Sequence, residues 1–330
     1  MTVNPDPLLE PWLVPYDPVA TVDDIRQCFR LILGRSPRRQ EWVGQSSHAG
    51  RPLDLVVANY LNTAEFARRG LLNRPPPAVE CADCGDYRIY AAPLDEAVGR
   101  HALANAYEPH VTAVVRRALR PSAGMIDIGA NIGVFALLAA ACVGPAGYVL
   151  AMEPNPANAR LLEASRRENG FSWLTVCQAA AGRAIGLLQL HTADSNGTAA
   201  APTVAALLQG AVTVPCLRLD DLVPPQQSIA LIKIDVEGAE YLALQGCERT
   251  IRRCQPMIVS EFSPDLLTEI SGIEASGYLE WLFGLGYRIG VIGRDGSVSP
   301  PGTDAGAVMA RYAASGVDHI DIACLPAGAG

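Results

Sequence analysis

The run Met125-Ile126-Asp127-Ile128-Gly129-Ala130-Asn131-Ile132-Gly133-Val134-Phe135 constrains this chain more than any other stretch. It opens as a short apolar strand carrying one carboxylate, Asp127. It turns through Gly129-Ala130-Asn131 and enters an apolar segment, residues 134–142, expected to be helical. Two glycines at such a turn let the backbone fold tightly and let a ligand approach without meeting a Cβ. Strand, glycine turn and helix N-terminus form the opening unit of a nucleotide-type site in a doubly wound α/β sheet. A nicotinamide dinucleotide calls for G-x-G-x-x-G, but Gly129 and Gly133 lack the close glycine pair, so a pyrophosphate and an NAD-dependent dehydrogenase are disfavoured. Asp127 points instead to a cationic or hydroxylated ligand group, such as an amino acid's ammonium.

A second apolar segment, residues 147–152, ends on Glu153-Pro154-Asn155. Glu153 follows Asp127 by 26 positions, near the usual offset of about 20 for an acid that binds the two hydroxyls of a ribose. Further on, Ile232-Lys233-Ile234-Asp235-Val236-Glu237-Gly238-Ala239-Glu240 reads as a strand entering a helix. Lys233 and Asp235 share one face of that strand, Ile232 and Ile234 the other. Buried without partners the two charges would be costly, so they either pair structurally or meet a ligand at the strand's carboxyl end. Glu237 and Glu240 stand where acids satisfy helix amides, and Glu261 ends the next strand. Asp235, Glu237 and Glu261 are thus expected on one rim, as a base and hydroxyl-orienting acceptors or as ligands to a hard cation such as Mg²⁺. His101, His110, His191 and His319 are lone imidazoles. His191 is the best alternative base because it ends an expected strand, and His48 has no catalytic role.

The D-x-G-A-N-x-G turn, the Glu153-Pro154-Asn155 strand end, Tyr107-Glu108-Pro109, Leu219-Asp220-Asp221-Leu222 and above all I-K-I-D-V-E-G-A-E resemble the FkbM family of S-adenosylmethionine-dependent methyltransferases, over roughly Tyr87 to Tyr287. The resemblance implies a class I, Rossmann-like fold: a doubly wound, mostly parallel seven-stranded sheet whose last strand runs antiparallel. It implies S-adenosylmethionine at Glu108, Asp127, Gly129, Ala130, Asn131, Gly133, Glu153, Pro154, Asn155, Gln178, Ala180 and Asp235. It centres transfer on Asp235, Lys233, Glu261 and Glu237. Where family members commonly carry an acid near Arg183, this chain has Ala180-Ala181-Gly182-Arg183, which leaves the adenine to Gln178 or a backbone carbonyl. The expected activity is O-methylation of a hydroxyl on a sugar, glycan or natural-product acceptor. N- or C-methylation and a non-catalytic cofactor-binding scaffold are the alternatives, and acids gathered at one rim argue against the scaffold.

Apolar residues make up 49% of the 330 and charged ones 18%, which describes a well-cored globular protein. A net charge of −8 disfavours a nucleic-acid backbone as partner. No basic start followed by an apolar run suggests a leader, and the run at 134–143 is shorter than the roughly 20 residues a bilayer needs. A cytoplasmic protein acting on a small-molecule or glycan acceptor is expected, with homo-oligomerisation left open. Nine cysteines, an odd number lying mostly in apolar segments, read as buried thiols. Cys81-Ala82-Asp83-Cys84, expected in a polar loop, lacks the two further ligands of a structural zinc.

Residues 1–72 read as a proline-rich arm and a small helical domain, with helices over 23–33, from Arg39, over 53–61 and over 64–69. The Leu33-Gly34-Arg35 turn, Trp42 and the Glu65-Phe66 pair resemble a small repeat that often accompanies bacterial surface-glycan enzymes. Residues 73–85, with Pro75-Pro76-Pro77, read as a stiff linker, and 86–330 as the cofactor-binding domain. Added strands are expected at 186–192 and 211–217, with a polar loop following the first.

Overall fold

A computed structural model of the protein describes residues 18–71, 78–193, 196–208 and 212–328, without the side chains of 191–199 and 206. The chain falls into two compact units, one ending at Pro77 and the other beginning at Ala78.

The first unit is helical: α1 (Val22–Gln27), α2 (Arg39–Gln45), α3 (Leu53–Leu61) and α4 (Ala64–Arg69). Thr21 and Asp24 exchange a capping box that starts α1. The single helix expected over 23–33 is instead α1 followed by a π-helical turn, Cys28–Ile32, which ends as Gly34 adopts φ +70°. Ile25, Phe29, Val56, Tyr60 and Phe66 form its core. Arg35 holds both Glu41 and Glu65, joining α2 to α4.

The second unit opens with a hairpin of β1 (Glu80–Asp83) and β2 (Arg88–Ala91), then α5 (Gly99–Leu103) and α6 (Pro109–Ala118). Next come β3 (Gly124–Ile128), α7 (Val134–Val143), β4 (Tyr148–Met152), α8 (Pro156–Glu168), β5 (Leu174–Cys177) and β6 (Ala180–Ala181). A long hairpin, β7 (Gly186–Ala193) and β8 (Asn196–Ala200), leads to α9 (Val204–Leu208), β9 (Thr213–Leu217) and α10 (Leu219–Leu222). The chain then runs through β10 (Leu231–Ile234), α11 (Glu240–Gln245), α12 (Glu248–Cys254), β11 (Met257–Phe262), α13 (Pro264–Leu266), α14 (Ala275–Gly284), β12 (Tyr287–Val291), α15 (Ala305–Ser315) and β13 (Ile320–Pro326).

The central sheet has the order β12-β13-β11-β10-β3-β4-β5. The pairs among β11, β10, β3, β4 and β5 are parallel, and β13 runs antiparallel to both its neighbours. Alternation along each strand divides the core between two faces. Met125, Val149, Leu231 and Val259 face α5–α7, while Ile126, Leu150, Ile232 and Ile258 face α11, α12 and α14. Asp127 and Lys233 sit on the first face, level with each other in the β3–β10 register.

Two expectations change. The Cys81 to Cys84 segment is no loop: Cys81 lies in β1 and Cys84 is buried at the hairpin end, where its thiol reaches the carbonyl of Ala102. The expected added strands appear as β7 and β9, in a separate sheet of order β6-β9-β7-β8. The polar segment after the first added strand is part of that hairpin, with His191 registered opposite Thr198. Asp220 of the L-D-D-L motif is structural, since its carboxylate accepts the amides of Arg249 and Thr250 at the start of α12.

Candidate active site

A cavity of about 780 Å³ opens at the carboxyl ends of β3, β4, β10 and β11, within the size range of small-molecule sites. Its floor is the β3 turn. Gly129 has φ +78°, and a Cβ there would lie 1.9 Å from the carbonyl oxygen of Asp235. The glycine is therefore demanded by the closeness of two strand ends rather than by ligand approach. Gly133, φ +98°, does not border the cavity, since a Cβ on it would strike Leu162 of α8. Asn131 takes a left-handed φ of +51° and caps its own turn, with its Oδ1 accepting the amide of Ile132 at 2.8 Å.

Glu153 is buried at the end of β4 and borders the cavity. Its two oxygens accept the amides of Asn155 and Asn131, both at 2.8 Å, tying the β4 end to the β3 turn. Burial pushes its carboxyl up to about 7 against those amide bonds. Asp127, 1% exposed, is likewise pushed up to about 7 by burial, and Lys233 pulls the other way. Asp127 Oδ2 and Glu108 Oε2 are buried with no hydrogen-bond partner among the described residues, and both residues border the cavity. An unsatisfied buried acceptor of this kind calls for a donor from outside the protein.

Lys233, 1% exposed, lies between these acids. Its Nζ is 3.3 Å from Asp235 Oδ2 and 5.1 Å from the centre of the Phe135 ring. Burial works against its charge, but Asp235, Glu108, Asp321 and Asp127 outweigh it and hold the ammonium above its ordinary range. Glu261 is pushed up to about 10 by burial and then by Asp235, so its carboxyl carries a proton at neutral pH. Glu237 is also raised by burial, and its backbone is left-handed at φ +51°. Glu240 does not cap from outside the turn as a box would. Its Oε1 accepts the amides of Val236 and Gly238 and braces the loop that carries Glu237.

The cavity thus brings together Glu108, Asp127, Gly129, Ala130, Asn131, Glu153, Pro154, Asn155, Ala180, Lys233, Asp235, Glu237 and Glu261. It does not bring in Gly133 or Gln178. Gln178 is exposed at the end of β5, and Ala179 and Ala180 take the wall instead. Among the described residues no three His, Cys, Asp or Glu side chains are grouped to hold a metal ion. His101 is exposed and does not border the cavity, and the His191 side chain lies outside the described residues. His319 does border it, beside Asp318 and 2.9 Å from that carboxylate. Residues not singled out from sequence include Phe135 under Lys233, and Ser263, Glu269 and Asp318 lining the same cavity. Asp321, a half-buried acid in the apolar strand β13, was detectable by the same alternation that marks Lys233 and Asp235.

The raised carboxyls have a consequence for stability. In the unfolded chain Asp127, Glu153 and Glu240 ionise near their ordinary values of 3.8, 4.5 and 4.5, but in the fold each stays protonated to about 7. Their stabilising contribution is full below the unfolded values and is lost as pH rises towards 7. Apo-protein melting temperatures measured from about pH 4 to 8 should show a component of decline that shrinks in an Asp127→Asn, Glu153→Gln variant. An identical profile in that variant would contradict the assignment.

The sheet order, the single antiparallel strand β13, the glycine turn after β3 and the acid ending β4 define a Rossmann-like class I methyltransferase fold. Residues 127–289 match the family model described as the methyltransferase FkbM domain. The chain therefore carries a methyltransferase domain of the FkbM family. Among solved structures it is similar to methyltransferase FkbM from Methylobacillus flagellatus, at 18% identity and TM-score 0.39, covering 64% of this chain and 50% of that one. It is also similar to precorrin-6y C5,15-methyltransferase from Geobacter metallireducens, at 16% identity and TM-score 0.37, covering 72% and 92%. A third is a SAM-dependent O-methyltransferase from Thermotoga maritima, at 13% identity and TM-score 0.36, covering 66% and 65%. The chain spans half the length of the first of these. No curated protein matches it. Among the described residues no helix is long and apolar enough to cross a membrane.

Proposed function

We infer that the cavity binds S-adenosylmethionine and that the protein methylates a hydroxyl on a sugar, glycan or natural-product acceptor. The observation that carries this reading is the β3–β10 pairing, which sets Asp235 against the Gly129 turn in the same cavity as Glu153. The donor set fits the cofactor. Asp127 Oδ2 and Glu108 Oε2 suit an ammonium, Glu153 keeps lone pairs for ribose hydroxyls, and Ala179–Ala180 offer a small wall to the adenine. S-adenosylmethionine, when bound, supplies an electrophilic methyl group on a sulfonium. The chain's part is to hold the acceptor oxygen in line with that methyl and to take or share its proton. Asp235 and Glu237, with the protonated Glu261 donating, line the end where the acceptor would lie. Glu269 and Asp318 extend that rim and favour a neutral, hydroxyl-rich acceptor over one bearing phosphate.

Calorimetry with S-adenosylmethionine, S-adenosylhomocysteine and NAD tests the reading, with the first two expected to bind and NAD not. Glu153→Ala should weaken S-adenosylhomocysteine by about 1.5–3 kcal/mol, the worth of charged hydrogen bonds. Unchanged affinity in a folded variant would remove Glu153 from the site.

A further inference from the structure

We propose that His110 and Asp321 are positioning residues whose buried contact holds Glu108 in the conformation that turns its carboxylate to the cofactor cavity. The inference rests on the cofactor reading above and adds two residues that touch neither the cavity nor any ligand in it.

Glu108 is the residue before α6, with φ +37° and ψ +62°. A non-glycine residue reaches this left-handed region at a cost. Pro109 follows it, and a proline pushes the preceding residue towards extended backbone instead. Two local preferences therefore oppose the observed conformation, and something outside residues 107–109 must impose it. Thr112 bonds the carbonyls of Tyr107 and Glu108 within the same turn, and the tie from this turn to the sheet is His110, 6% exposed, whose Nε2 lies 2.8 Å from Asp321 Oδ2. Asp321 belongs to β13 and is registered opposite Glu261 of β11, so the contact pins the first turn of α6 to the central sheet. The pin sits two residues from Glu108, whose Oε2 is buried and unpartnered beside the cavity.

The arrangement has the form of a latch. His110 is buried and Asp321 largely so, at 5% and 11% side-chain exposure, so the contact takes most of both groups out of water, which is offset only by close pairing. Releasing it frees the α6 start to relax towards extended backbone, swinging the Glu108 carboxylate away from the ligand. Lys233 would then lose one of the carboxylates that surround it. A purely structural contact would stabilise the fold without any specific link to Glu108.

A double-mutant cycle on the full chain separates the two, with S-adenosylhomocysteine affinity read by calorimetry. Glu108→Gln and His110→Gln should each weaken binding about tenfold or more, the scale of one charged hydrogen bond. The double variant should be no weaker than Glu108→Gln alone, because the latch acts only through that carboxylate. Asp321→Asn enters the same cycle should His110→Gln fail to fold, with the same non-additivity expected. Multiplying losses would overturn the proposal. So would a His110→Gln protein with a lower melting temperature and wild-type affinity, or a Glu108→Gln protein that binds normally. Failure of the wild-type protein to bind S-adenosylhomocysteine is a different result, which removes the cofactor reading and this inference with it.

Discussion

Asp235→Asn is expected to lower turnover by about 10²–10⁴-fold while leaving S-adenosylhomocysteine affinity essentially unchanged. The side chain stands at the carboxyl end of β10, its amide bonded to the Ile128 carbonyl at 3.0 Å and its own carbonyl packed under Gly129. The backbone contacts survive the substitution and preserve the cofactor turn. What is lost is the carboxylate against Lys233. Glu261 remains a poor substitute as proton acceptor, because burial, the larger cause of its raised carboxyl, persists in the variant even though the Asp235 charge is gone. The measurement needs an acceptor, found by screening sugars, lipid-linked glycans and hydroxylated metabolites with labelled cofactor. An Asp235→Asn enzyme as fast as wild type on that acceptor would move the proton chemistry elsewhere. His319, at the cavity rim, and His191 would then be the residues to test.

Lys233→Met should destabilise the protein by about 3–5 kcal/mol, the cost of removing one partner from a buried ion pair. Methionine keeps the length and the contact with Phe135 but leaves Asp235, Glu108, Asp321 and Asp127 without their central cation. Urea denaturation followed by fluorescence reads the change, and a loss below about 1 kcal/mol would mean that the acids protonate at little cost. Measured above about pH 7, where Asp127 ionises in the wild type, adding Asp127→Asn to Lys233→Met should restore part of the stability, since it removes a carboxyl whose ionised form Lys233 no longer favours. No such recovery would place the loss in packing around Phe135 instead.

Much of the site was legible because strand alternation and strand ends are local properties. Asp127, Lys233 and Asp235 interrupt apolar strands at fixed parity, and a charge in such a strand either pairs or meets a ligand. Glu153 was legible from its place at the tip of β4. Gln178 was not, because one residue of register decides whether a side chain at the end of β5 faces the wall or solvent. Gly133 was misjudged because its small size answers to Leu162, a neighbour supplied by α8 and distant in sequence. The π-turn at Cys28–Ile32 differs from the continuous apolar period, and no residue within it accounts for the change.

By itself the sequence determined the alternation of strands and helices, the glycine turn, the acid ending β4 and the membership of the methyltransferase domain. Each depends on residues close together in the chain, where apolar period and turn chemistry act directly. Only the tertiary structure decided which charges face one another. The pairing of His110 with Asp321 joins elements 211 residues apart, and Lys233 is brought level with Asp127 only by the β3–β10 register. Their energies are set by burial and by distances of a few ångströms, which exist only once the sheet has assembled and water has been excluded.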